Sequence, residues 1–244
     1  MKKNFLAIFA LIGALSIPIT ASAFTLGPSS PGKWGSPVMG TGATVSWSLM
    51  PTGSSCAIEF SGCTVTALSD FMPSGFMTAV QNAFAAWSAI ANINFVQVAD
   101  DGAALNAPTS SGDIRLGGHV FDGPSGVLAH GYFPPINGDS AAGDIHFDIA
   151  DNWKIGFGGP GFDLFQVLAH EIGHAIGLSH SSVPGSLMNP FYSESFLGLQ
   201  ADDIAGAQFI YGERIAQVPE PAGLAIFGLL LAGLMLNRRR AAGR

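Results

Sequence analysis

The strongest chemical signal in the chain is one continuous segment, His170-Glu171-Ile172-Gly173-His174-Ala175-Ile176-Gly177-Leu178-Ser179-His180. It holds half of the chain's six histidines. On a helix, residues four apart share a face, so His170 and His174 present two imidazoles to one ion. Gly177 can take a positive φ, end the helix and let His180 swing back as a third ligand. Three protein ligands leave one position for water, which marks a catalytic rather than a structural zinc site. Glu171, next to a ligand, is placed as general base for a water whose pKa zinc lowers toward about 7. The plain alternative is a buried helix with incidental histidines. Average residue usage puts chance occurrence of the full pattern in a chain of this size on the order of one in 10⁵.

These residues need a helix, and the helix needs a scaffold. Asp163 is suited to cap a helix running to about Ile176, with Gly177 as its left-handed terminus. Upstream, Phe76, Val80, Ala83, Phe84, Trp87 and Ile90 recur at helical spacing within a predicted helix from Pro73 to Ala91. Alternating or short apolar runs predict strands at Thr44–Leu49, Ile93–Val98, Asp113–Leu116, Val127–Tyr132 and Asp144–Ile149. Residues 100–112 and the Gly-rich 154–162 read as loops, residues 24–43 as an irregular lead-in, and Asp202–Ile210 as a last short helix. Strands and helices interleave without a regular βα repeat, which gives an α+β class.

Residues 24–217 carry four lysines and arginines against sixteen acidic residues, a net charge of −12. That excludes an electrostatic nucleic-acid binder and leaves room for cations. Cys56 and Cys63 are the only cysteines, and a local disulfide is plausible for a chain exported to an oxidising compartment.

The extended motif H-E-x-x-H-x-x-G-x-x-H resembles that of the metzincins, in which a Met turn follows. Ser186-Leu187-Met188-Asn189-Pro190 fits that turn, with Met188 packed beneath the ligand imidazoles. Three further blocks resemble the matrixins, the matrix-metalloprotease family: Phe121 to His130 with its F-D-G-P start, Asp144-Ile145-His146-Phe147-Asp148 with Trp153, and Ala201 to Gly206 ending at Tyr211-Gly212. Together with the Phe84–Trp87 helix and the strand after it, the resemblance covers about residues 44–212.

It implies a twisted, mixed five-stranded sheet with three helices and a zinc cleft, the substrate lying between an edge strand and the zinc helix. Pro190 and Tyr192 would help line the specificity pocket. It also implies structural ions. His130 and His146 match the ligands of a second, structural Zn2+, with His119 as the third; the family's Asp two residues after this His is here Phe121, and the loop from His119 to Asp122 is shorter. Asp122, Asp148 and Asp151, with the backbone of Gly123, Ser125 and Val127, match ligands of Ca2+, and Asp144 a second Ca2+. Matrixins are usually kept latent by a propeptide Cys. Residues 24–43 contain none, so no cysteine-switch latency is expected.

The ends read as processing segments. Lys2-Lys3, an apolar run from Phe5 to about Ile17 and Ala21-Ser22-Ala23 make a secretory signal peptide over residues 1–23. Val218-Pro219-Glu220-Pro221, an apolar stretch from Ala222 to Leu236 and Arg238-Arg239-Arg240 resemble a PEP-CTERM sorting tail over residues 218–244 with a short transmembrane segment; a plain membrane anchor is the alternative. The resemblance implies Sec export, an exosortase partner, loss of the tail, and an extracellular or envelope location in a Gram-negative bacterium. The expected function is a monomeric secreted endopeptidase on protein or peptide substrates, residues 44–217 forming the catalytic domain. The alternative is a non-catalytic, metal-stabilised surface or biofilm matrix protein. Glu171 separates the two, because a pure binder has no need of a base beside the metal.

Overall fold

The structure is a computed structural model that describes residues 24–135 and 141–214. Its strands are β1 (Thr25–Leu26), β2 (Ala43–Leu49), β3 (Ile93–Gln97), β4 (Ile114–His119), β5 (Ala129–Gly131), β6 (Ile145–Asp148), β7 (Trp153–Lys154), β8 (Phe162–Asp163) and β9 (Leu178–Ser179). Its helices are α1 (Leu68–Phe71), α2 (Phe76–Ile90), α3 (Leu164–Ala175) and α4 (Ala201–Tyr211).

The main sheet has the order β3-β2-β4-β6-β5. The first four strands are parallel, and β5 runs antiparallel to β6 at the edge. This is the expected mixed five-stranded sheet. Its central strand β4 is buried along its whole length, as a strand covered on both faces must be. β4 reaches His119, past the expected end at Leu116. Gly117 and Gly118 carry no alternation signal, yet they are needed: a Cβ on Gly117 would lie 2.5 Å from Val65 Cγ1. The expected strand at Val127–Tyr132 shortens to three residues.

α2 and α3 carry the core against the sheet. Val80, Ala83, Phe84 and Trp87 form the buried face of α2. The Trp87 indole N–H donates to Ala169 O of α3 at 2.9 Å, so the largest core side chain also fixes how the two helices meet. The predicted start at Pro73 moves to Phe76, because Gly75 takes a left-handed φ of 89° at the N-cap. Asp163 caps α3 as expected, its Oδ1 accepting from Gln166 N at 2.9 Å.

The lead-in is not irregular throughout, which corrects the expectation. β1 pairs antiparallel with β9, and the segment behind it closes the end of α3. A helix C-terminus leaves carbonyls without intrahelical partners. Here the Trp34 indole donates to Ala175 O at 2.7 Å and the Tyr211 hydroxyl to Ile176 O at 3.0 Å. Lys33 is buried, its Nζ donating to the carbonyls of Trp34, Ser36 and Thr41.

Cys56 and Cys63 form a disulfide. It packs with Met50, Val65 and Leu105 in a small second core. Among the described residues no helix is long and apolar enough to cross a membrane. The expected signal peptide and the sorting tail with its short transmembrane segment lie outside the described residues.

Candidate active site

α3 delivers His170 and His174 from one face, as the four-residue spacing requires. Gly177 then turns the chain with φ 111°. A Cβ there would lie 2.2 Å from Gly32 O, so the turn that returns His180 admits only glycine. The three histidines converge, with a ring nitrogen from each within 4.8 Å of the others.

Backbone carbonyls orient two of the rings. His170 Nδ1 lies 2.7 Å from Leu187 O and His174 Nδ1 2.8 Å from Leu178 O. A carbonyl only accepts, so each Nδ1 carries the proton and each Nε2 turns a lone pair inward. His174 Nε2 and His180 Nε2 stand 3.2 Å apart. Two nitrogens on a tetrahedral zinc with bonds of about 2.0–2.1 Å are about 3.3 Å apart, so the donor set fits that ion. Burial holds all three imidazoles below their ordinary pKa, His170 at about 4 and His174 at about 3, with repulsion among the rings adding to the effect at His170 and His174. Neutral imidazoles are the ligating form.

Glu171 is buried beside them, and its Oε2 has no protein partner. Burial pushes its carboxyl up to about 8, opposed by the nearby Gly131 N–H. Glu171 lines a cleft of about 410 Å³ together with Val127–Ala129, His170, His180 and Pro190. The wall on the Val127–Ala129 side leads into β5, an edge strand. Tyr192 also lines the cleft, held by donating to Glu194 Oε1 and accepting from Asp163 N, both at 2.8 Å. Phe191 is 81% exposed beside it.

Met188 is buried under α3, where a Cβ on Gly173 would lie 2.3 Å from its sulfur. What holds this turn escaped the sequence reading. Asp203 of α4, buried, accepts from Leu187 N at 2.8 Å, Met188 N at 3.0 Å and the Ser186 hydroxyl. Leu187 is the residue whose carbonyl orients His170, so Asp203 is linked to a candidate ligand through one intervening residue. Its pattern in the sequence, an acidic residue in the first turn of a helix, is that of an ordinary cap, and it does accept from Gln200 N at 2.8 Å.

His119, His130 and His146 also come together, and Glu59 stands among them. Glu59 was not expected; it comes from the disulfide loop, far away in sequence. The Asp set surrounds one loop. Gly123 N donates to Asp148 Oδ2 at 3.3 Å, Ser125 N to Asp151 Oδ1 at 2.6 Å, and Val127 N to Asp122 Oδ1 at 3.1 Å. Asp144 is buried and its Oδ1 accepts from Arg115 N at 3.0 Å, tying β4 to the segment before β6.

Comparison with known proteins agrees with this geometry. A family model described as Matrixin matches residues 62–212, more than half of the chain, and a PEP-CTERM protein-sorting motif matches residues 217–240. The sorting motif points to export. The chain is 50% identical over 102 residues to Stromelysin-3 of Xenopus laevis, covering 41% of this chain and 20% of that protein. It is 40% identical over 142 residues to Karilysin of Tannerella forsythia, covering 55% and 28%. It is 40% identical over 146 residues to Matrix metalloproteinase-20 of Homo sapiens, covering 59% and 29%. The matched part thus spans less than a third of the length of each of these relatives. With the three-histidine cluster, the Met turn and a family match over residues 62–212, the chain belongs to the matrixin family.

Proposed function

We propose that this protein is an exported zinc-dependent endopeptidase that hydrolyses peptide bonds in protein or peptide substrates. The observation that carries this reading is the buried, partnerless Oε2 of Glu171 beside three convergent, neutral imidazoles in an open cleft. His170, His174 and His180 would hold the zinc, which supplies Lewis acidity and makes water acidic enough to react near neutral pH. Glu171 accepts the proton of the attacking water at Oε2 and passes it to the leaving amine. A positive charge beside Glu171 offsets the burial that raises its pKa, so the carboxylate is available as a base. The substrate lies extended along the cleft and adds to the free edge of β5, as extended peptides do on exposed sheet edges. Pro190 and Tyr192 form the wall that receives its side chain.

The full chain should cleave casein or gelatin, lose that activity to a zinc chelator and regain it on zinc addition. Cleavage that persists undiminished in a zinc-free protein would sink the reading. We further propose that residues 1–23 act as a Sec signal peptide and that an exosortase processes the 218–244 tail at the envelope of a Gram-negative bacterium. Mass spectrometry of the exported protein tests this: a species ending near residue 217 supports tail removal, and an intact C-terminus refutes it.

A bound Ca2+ belongs to the same reading. Asp151 is buried with its Oδ2 unpaired, and burial, with Asp148 and Asp122 adding to it, raises its pKa. Ca2+ held by Asp122, Asp148 and Asp151 would relieve that clustering. Removing calcium with a calcium-selective chelator is expected to lower the melting temperature reversibly. An unchanged melting curve would exclude the site.

A further inference from the structure

The three histidines of the second cluster come from three adjacent strands: His119 ends β4, His146 lies in β6 and His130 in β5. The sheet therefore brings them together, but the carboxylate it carries opposite His119, that of Asp148, is not part of the cluster and accepts instead from Gly123 N and Ala150 N. Phe121 occupies the place where an acidic ligand was expected, and it acts as a wall. Its ring stacks on His130 at 4.7 Å and meets His119 edge-on at 4.4 Å.

A carboxylate arrives from elsewhere. Glu59 sits at the apex of the loop closed by the Cys56–Cys63 disulfide. The loop is pinned by Cys56 N to Cys63 O at 3.1 Å, Glu59 N to Cys56 O at 2.9 Å and Cys63 N to Phe60 O at 3.1 Å. Phe60 beside it packs edge-on to His119. Glu59 Oε2 lies 2.6 Å from His119 Nε2, and Oε1 lies 2.7 Å from His146 Nδ1 and 3.1 Å from His130 Nε2. Tyr132 steadies Oε1 by donating its hydroxyl proton at 3.2 Å.

Hydrogen bonding accounts for the contacts of His146 Nδ1 and His130 Nε2 with Glu59 Oε1, but not for the contact at His119 Nε2. His119 Nδ1 faces Val120 O at 3.1 Å; a carbonyl there requires the proton on Nδ1. That leaves Nε2 of the neutral ring a bare lone pair, 2.6 Å from a carboxylate oxygen. The approach lacks hydrogen-bond alignment, and Nε2 has no other partner. His130 Nε2 and His146 Nδ1 are a further 3.2 Å pair of ring nitrogens. Three ring nitrogens and a carboxylate this close together are a donor set that one cation can share. Three imidazole nitrogens and one carboxylate oxygen make a closed four-ligand set with no position left for substrate, which is a structural zinc site.

We propose that Glu59 is the fourth ligand of a second zinc ion held by His119, His130 and His146, in place of the acidic residue that Phe121 displaces. Glu59 lies outside residues 62–212, the part that matches the family. The zinc is thereby tied to the disulfide loop, and the loop to the sheet edge that borders the cleft.

The test is zinc content of the full chain, equilibrated in chelator-buffered zinc and measured by mass spectrometry, with peptidase activity followed in parallel. The wild type should hold two zinc ions per chain. Glu59→Ala and Glu59→Gln should hold one at a free zinc concentration where the wild type holds two, with affinity for the second ion reduced at least about tenfold, since even the loss of an outer-sphere partner costs about 10–100-fold. Glu59→Asp, which keeps the charge on a shorter stem, should fall between. Retained peptidase activity in these variants shows that they fold and that the zinc lost is not the one at His170, His174 and His180. Two bound zinc ions with unchanged affinity in Glu59→Ala would overturn the proposal. So would an active wild type holding a single zinc, and that result would leave the proposed peptidase function standing.

Discussion

Replacing Glu171 with Gln is expected to lower kcat by about 10²–10⁴-fold, the usual contribution of a positioned general acid–base group, with KM and zinc content close to wild type. The substitution keeps the volume and the branched end of the side chain. It removes only the ability of Oε2 to take and return a proton. Because that oxygen has no protein partner, no structural hydrogen bond through it is lost, and the effect is confined to chemistry. Burial already opposes charge on Glu171, so the metal-free variant should be at least as stable as the metal-free wild type. Steady-state cleavage of a quenched fluorescent peptide, beside zinc analysis and a melting curve, checks all three statements. A variant that cuts at the wild-type rate would remove Glu171 from the mechanism.

The second large effect is expected at Asp203. Its two carboxylate oxygens take four donors, the N–H groups of Leu187, Met188 and Gln200 and the Ser186 hydroxyl, in a fully buried setting. Asp203→Ala leaves those donors without an acceptor, at about 1–3 kcal/mol for each one that stays buried and unpaired. Partial relaxation brings the total to about 3–5 kcal/mol, the cost typical of breaking a buried charged cluster. For a domain of this size that corresponds to a fall on the order of 10 °C in melting temperature. The turn it holds also presents Leu187 O to His170 Nδ1, so zinc affinity should fall by about 10–100-fold. Ser186→Ala, which removes one donor and keeps the carboxylate, should cost about 1 kcal/mol and leave zinc binding nearly unchanged. A Asp203→Ala protein that melts with the wild type and holds its catalytic zinc equally well would show that the Met turn stands without α4.

The convergence of His170, His174 and His180 was legible in the sequence because it is local. His170, Glu171 and His174 follow from helical periodicity, and Gly177 with His180 from a turn only a few residues long. The same holds for the capping Asp163 and the amphipathic α2, each set by neighbours within about two helical turns. The strand pattern gave the α+β class, and the family resemblance gave a mixed five-stranded sheet, while the strand order came from the folded chain. Strand ends were less legible. Gly117 and Gly118 have no side chains to alternate, although β4 is buried through to His119 and Val65 packs close against Gly117.

Tertiary structure alone decided the rest, because those partners are far apart along the chain. Trp34 and Tyr211 close the carbonyl end of α3 from opposite ends of the domain. Asp203 reads as a helix cap until folding places its carboxylate under the Met turn. Glu59 carries no signal of its own, being one acidic residue in a short loop between two cysteines. It becomes a candidate ligand because the disulfide holds the loop against three strands whose histidines already face one point. A sequence fixes chemistry where the spacing of a helix or turn does the positioning; where the positioning is done by a sheet, a disulfide or a second helix packed on the first, only the folded chain reveals it.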